Sequence, residues 1–181
     1  MEGCGMKRLS FLFFFILLCL VGTGCTKGEA GGALEYNGRA LVIGVIGEKP
    51  KDTFRNVKFE NIALNEMEQK LAEVDGFLVM KEKFQEASNE RYKELFLSIK
   101  KPVFFIGLQD KSYSLFIKKK LDYNHAPKDE NAMYTQGFVN IGSGEGQQWG
   151  TGLTNGGAAE ESVHNMYIIV FQAIADYLNR Q

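Results

Sequence analysis

Three short runs with hardly a polar residue constrain this chain most. Residues 39–46 read RALVIGVI, residues 77–80 read FLVM and residues 103–106 read VFFI. A strand with one wet face alternates apolar and polar residues, whereas an unbroken apolar run fits a strand covered on both faces. Gly44 inside the first run marks a place where a neighbouring element comes close. Helical spacing fills the intervals. Asn65 can cap a helix over residues 66–72, with Met67, Leu71 and Val74 turned inward. Residues 82–99 carry Phe84, Tyr92, Leu95, Phe96 and Ile99 on one face; Lys100 and Lys101 suit the dipole at its end, and Pro102 stops it. A third helix is expected over residues 110–121, with Tyr113, Phe116, Ile117 and Leu121 toward the sheet. A closing helix is expected over residues 160–178, with Glu160 and Glu161 in its first turn and Val163, Tyr167, Val170, Phe171, Ile174 and Leu178 on its apolar face.

Weaker strand patterns lie at residues 57–63 and 134–141. Strand and helix in alternation predict parallel crossovers. The expected fold is a three-layer α/β sandwich with a mostly parallel four- or five-stranded sheet, of flavodoxin-like or Rossmann-like topology and strand order 2-1-3-4-5. The link between the first two strands is short for a covered crossover, which leaves room for an antiparallel edge or for a hairpin over residues 142–153.

The N-terminal segment sets the surroundings. Residues 6–25 read MKRLSFLFFFILLCLVGTGC: Lys7 and Arg8, then an apolar stretch over residues 9–21, then Gly22, Thr23, Gly24 and Cys25. Charge, apolar core and small-residue exit are the layout of an export signal. The stretch is short for a permanent span across roughly 30 Å of hydrocarbon. It resembles a bacterial lipoprotein signal peptide, with Gly22 where that family commonly has leucine. The resemblance implies cleavage before Cys25 and acylation of Cys25 by chains such as palmitate. Two or more chains give stable membrane attachment. An ordinary cleaved signal and a short uncleaved anchor are the alternatives. Met6 opens a cleaner signal than Met1. On this reading residues 1–24 are the signal peptide and residues 25–38 are the lipidated cysteine and a flexible glycine-rich tether. Residues 39–181 are a single α/β domain on the extracytoplasmic face of the cell membrane. The body also resembles small lipoproteins of Bacillus-type bacteria, a likeness that carries over no functional residue.

All three cysteines, Cys4, Cys19 and Cys25, lie in this segment. A domain without disulfides, thiolate metal sites or a cysteine nucleophile must be held by packing. The formal charge is −1; removing Glu2, Lys7 and Arg8 with residues 1–24 leaves −2. That balance gives no basis for nucleic acid as a partner. The partners expected are the lipid bilayer, through the anchor, and an envelope protein or small ligand.

In folds of this kind ligands gather beyond the carboxyl ends of the strands. Glu48, Lys49, Asp110, His125, Glu145 and Trp149 are therefore the candidate ligand or partner surface. Residues 142–157 read GSGEGQQWGTGLTNGG, which matches neither the P-loop nor the dinucleotide fingerprint. A hairpin or surface loop with Trp149 packed over the sheet edge is the simpler reading, with a partner patch at Trp149 as the other. His164 sits beside an apolar helix face and reads as a structural histidine. Lys118, Lys119 and Lys120 read as a solvated helix end or as a contact to anionic headgroups. No HExxH, GxSxG or EF-hand pattern is present, and no cofactor or metal is implied. The expected function is a non-enzymatic binding or accessory domain. The alternatives are a surface-tethered hydrolase or transferase using Asp110, His125 or Glu145, and a structural envelope or spore-associated protein.

Overall fold

The computed structural model describes residues 33–119, 121–140, 146–153 and 159–181. The signal segment, Cys25, Lys120, Ser143, Glu145 and the side chain of Phe116 lie outside the described residues. Strands β1 (Leu41–Ile46), β2 (Val57–Asn61), β3 (Gly76–Met80), β4 (Val103–Ile106), β5 (Thr135–Val139) and β6 (Gln147–Thr151) form one sheet in the order β2-β1-β3-β4-β5-β6. The pairs β1–β2, β1–β3 and β3–β4 are parallel, and β4–β5 and β5–β6 are antiparallel. Helices α1 (Phe84–Ala87), α2 (Glu90–Ser98), α3 (Tyr113–Phe116) and α4 (Glu160–Leu178) flank this mixed α/β, largely parallel sheet, a broadly flavodoxin- or Rossmann-like arrangement.

The unbroken apolar runs are explained by two cores. Leu41, Ile43, Val45, Leu78, Phe104 and Ile106 pack with α4 residues Val170, Phe171 and Ile174. Ile46, Phe77, Val79, Val103 and Phe105 pack on the other face with Phe84, Tyr92, Phe96 and Ile99. Successive side chains of one strand serve opposite cores, so neither set can be polar. A Cβ on Gly44 would lie 2.6 Å from Ile62 Cδ1, the close approach expected there.

Several expectations are corrected. The sheet has six strands, not four or five: the glycine-rich segment supplies β6, antiparallel to β5. The β1–β2 link, residues 47–56, joins parallel strands without a helix. Phe54 from this link is buried and packs edge-on against Phe171 at 4.9 Å, covering the sheet as a crossover helix would. The helix expected over residues 82–99 is broken between α1 and α2. Ser88 Oγ donates to Gln85 O and accepts from Tyr123 N, and Asn89 accepts from Arg91 N in an extended conformation. Short polar side chains compete there with the helical ladder. The helix expected over residues 110–121 shortens to α3. The buried Gln136 amide accepts from Tyr113 N and donates to Lys111 O and Met133 O, pinning the approach to α3 in a non-helical path. The helix expected at residues 66–72 is a 3-10 turn, Leu64–Glu66, followed by irregular turns. In contrast α4 and β4 have the predicted bounds.

Residues 33–38, assigned from the sequence to the tether, lie against α4. Leu34 N donates to Asn165 Oδ1 at 2.7 Å, and Tyr36 is buried edge-on to Phe171 with its hydroxyl on Arg39 O. Among the described residues no helix is long and apolar enough to cross a membrane.

Candidate functional site

Beyond the carboxyl ends of β1 and β3, the chain turns at Gly47 with φ +120°, where a Cβ would fall 2.8 Å from Met80 Cβ. That turn lets Glu48 N donate to Glu82 Oε1 at 2.5 Å. Glu66 Oε2 accepts from Ala63 N at 2.9 Å within one turn on the wall of the same wide cleft, which Val45, Asn61 and Lys83 also line. Glu48 lines it and is exposed, as is the neighbouring Lys49. Two of the three glutamates thus bind backbone, and no group of His, Cys, Asp or Glu among the described residues is arranged to hold a metal ion.

Beyond β4, Asp110 pairs with Lys128 at 2.8 Å, and this hydrogen bond holds its carboxyl below the usual carboxylate range. His125 Nδ1 lies 3.0 Å from Asp122 Oδ1 with the imidazole largely in solvent. Asp122 also accepts from Gln85 Nε2 and Asn124 N, and Gln85 foremost, then His125, lowers its pKa. Lys111 Nζ donates to Tyr123 O at 2.6 Å and fixes the His125 loop to the start of α3. Asp110 and His125 therefore belong to two separate hydrogen-bonded groups, each with its own partners.

Trp149 lies in β6, half-buried. Its ring stacks on Phe104 at 5.3 Å and meets Tyr177 edge-on at 6.1 Å. With the Gln147 amide turned so that its oxygen faces them, Trp149 Nε1 and Arg180 both donate to it at 3.2 Å. The indole ring meets Phe104 and Tyr177 and its N–H meets Gln147, which makes Trp149 a clasp between the sheet edge and α4.

His164 links three segments. Nδ1 lies 2.8 Å from Asp52 Oδ2, Nε2 lies 3.1 Å from Leu34 O, and the ring stacks on Phe54 at 4.8 Å. Both facing groups are acceptors, so an imidazolium can donate to both and a neutral ring to one. This is the structural histidine expected from its place on the helix, although Asp52 and Leu34 are far away in sequence.

A cavity of about 230 Å³ opens away from the strand-end candidates. Phe138 pairs with Val103, the first residue of β4, because β5 runs antiparallel. The cavity beside Phe138 therefore lies at the opposite end of the sheet from the parallel strands' carboxyl ends. Leu97, Ile117, Phe138 and Val139 give it apolar walls; Asn140, Gln148 and Lys118 are its polar members. The Asn140 amide donates to Leu97 O and ties the end of β5 to α2. Tyr113 stacks on Phe138 at 4.8 Å and 9°, and the Phe105 ring lies nearly parallel to both, at 6.2 Å from Tyr113 and 6.3 Å from Phe138. The Tyr113 hydroxyl is buried with no hydrogen-bond partner among the described residues, and burial pushes its pKa up to about 12. Lys118 Nζ lies 5.9 Å from the Tyr113 ring centroid. Periodicity places Tyr113 and Ile117 on an inward face, but it does not reveal that Phe138 meets them there.

No family model, curated protein or solved structure matches this chain.

Proposed function

We propose that the chain is a lipoprotein held on the extracytoplasmic face of the cell membrane by acyl chains on Cys25, and that its domain binds a small ligand without transforming it. The signal-like order of charge, apolar stretch and Gly22-Thr23-Gly24-Cys25 supports the anchor. The finer fold that accompanies this reading is a three-layer flavodoxin-like sandwich extended by the β5–β6 hairpin. The observation that carries the binding reading is a contrast. Polar candidates beyond the strands, Asp110 and His125, are committed to Lys128 and Asp122, whereas a cavity walled by Leu97, Ile117, Phe138 and Val139 carries the amides of Asn140 and Gln148 among its lining. General acid–base work needs a group within hydrogen-bond reach of a reacting proton. A binding pocket needs apolar walls and a few placed polar groups.

Expression of the chain and of Cys25→Ala in a Gram-positive host, followed by fractionation and intact-mass measurement, tests the anchor. The parent chain is expected in the membrane fraction, starting at Cys25 and carrying acyl mass. A parent chain that keeps residues 1–24 and carries no lipid would refute it. Retention of a small molecule from envelope extract by the released protein tests binding by the domain.

A further inference from the structure

We infer that the β2 edge of the sheet is an interface for a second copy of this chain. The two β2 strands run antiparallel about a two-fold axis at Phe59 and join the two sheets. This goes beyond the binding reading above and does not rest on it.

Three observations converge on that partner. First, β2 is an outer strand with one side of its backbone open. Leu41 N donates to Asn56 O and Ile62 N donates to Val45 O, so residues 56, 58, 60 and 62 turn their peptide groups toward β1. Val57, Phe59 and Asn61 turn theirs outward. Val57 N donates to Phe54 O within its own turn. Among the described residues no other hydrogen bond reaches this outward row, which is a template for a further strand. An axis at Phe59 sets Phe59 opposite itself and Asn61 opposite Val57 of the copy. Phe59 N then donates to Phe59 O of the copy and Asn61 N to its Val57 O, each bond occurring twice.

Second, charge fixes that register. Lys58 and Glu60 share one face of β2, with Nζ and Oε1 2.9 Å apart. About Phe59, Lys58 falls opposite Glu60 of the copy, and Glu60 opposite its Lys58. These are non-hydrogen-bonded positions, where Cα atoms approach to about 4.5 Å, and opposite charges there attract. In-register parallel strands would set like charges together. An edge lysine ordinarily discourages pairing. With Glu60 two residues on, this edge is self-complementary, as an isologous contact requires. Third, the other face of β2 supplies apolar contact. Phe59 is half-buried, 6.1 Å from Phe54 and 5.9 Å from Phe171, and at the axis its open side meets that of the copy. The opposite outer strand, β6, carries no charge to set a register. A five-residue strand makes a small interface, so the dimer is weak, with a Kd on the order of 0.1 mM.

Sedimentation equilibrium of the full chain in mild detergent, over a range of protein concentrations, tests the interface. The parent is expected to pass from monomer to dimer. Lys58→Glu makes both charged positions acidic, and Glu60→Lys makes both basic. Each variant alone should dimerise roughly tenfold or more weakly, because two attractive pairs turn repulsive. An equimolar mixture of the two variants should recover the parent's dimerisation, as a heterodimer with both pairs attractive. Association through the apolar N-terminal stretch would be indifferent to these charges, and a misfolded variant would not be rescued by mixing. A parent that stays monomeric up to ~1 mM overturns the proposal. So does a dimer indifferent to either substitution, or a mixture that associates no better than its components.

Discussion

Phe104 and Trp149 stack at 5.3 Å although a whole strand lies between them. The residue between them is Gly137, which pairs with Phe104 on one side and with Trp149 on the other. A Cβ at Gly137 would run into the Phe104 ring. The missing side chain lets two aromatic rings from non-adjacent strands meet over the sheet and hold β6, the edge strand, in place. Aromatic pairs of this kind contribute ~0.5–1.5 kcal/mol beyond their burial.

Gly137→Ala should therefore destabilise the domain by about 1–3 kcal/mol through overpacking against Phe104. Trp149→Ala removes the partner ring and should cost about 2 kcal/mol, less than the ~3–5 of a fully buried aromatic. Urea unfolding of each single variant and of the pair checks this. Because both act on one stack, their effects should fall short of additive.

Tyr113→Phe is expected to leave stability unchanged or to raise it by up to about 1 kcal/mol, since it deletes a buried hydroxyl that has no partner among the described residues. The same residue gives a pH signature. Its folded pKa of about 12 lies above the ordinary value of 10, so between these values the unfolded chain loses the proton first. Stability is then intact below about pH 10 and falls as pH rises toward 12, by roughly 2 kcal/mol from this group. Burial shifts Tyr167 in the same direction, so the parent should show a steep alkaline loss and Tyr113→Phe a shallower one. Thermal melts at stepped alkaline pH measure the difference.

Gln136→Leu should cost about 2–3 kcal/mol. The Gln136 side chain is bonded to Tyr113 N, Lys111 O and Met133 O, and leucine would leave these backbone groups without it. Faster hydrogen exchange at Tyr113 N, relative to β4 amides, would localise the loss.

His164→Leu is expected to free residues 33–36 from α4. The substitution removes the bonds to Asp52 and Leu34 O, leaving Asn165 as the hydrogen-bond hold on Leu34. Limited proteolysis should then cut near Leu34 several-fold faster, with a loss of about 1–2 kcal/mol in global stability. Equal cleavage rates in parent and variant would contradict the clamp.

The covered strands and the long closing helix were legible because their signals are local. An apolar run of four to eight residues and a repeat of 3.6 carry their meaning within one window. Helix breaks at Ser88-Asn89 and before Tyr113 were not legible, because the groups that compete with the helix include Tyr123 N and the Gln136 amide, more than twenty residues away. The strand-end candidates Glu48, Asp110 and His125 sit in loops beyond the parallel strands. The bonds from Glu48 N to Glu82 and from Lys128 to Asp110 join residues that spacing does not connect, whereas Asp122 and His125 are only three residues apart.

By itself the sequence determined that a cysteine-free domain would bury β1, β3 and β4 on both faces and turn the apolar face of α4 inward, since these runs carry hardly a polar residue to face water. Tertiary structure alone decided where the unusual chemistry falls. Turning β5 antiparallel brought Phe138 to the amino end of β4 and under Tyr113, and folding brought His164 to Asp52 from 112 residues away. Apolar burial is a property each residue carries with it; a cavity, an orphan hydroxyl or a two-sided histidine exists only once distant segments share a space.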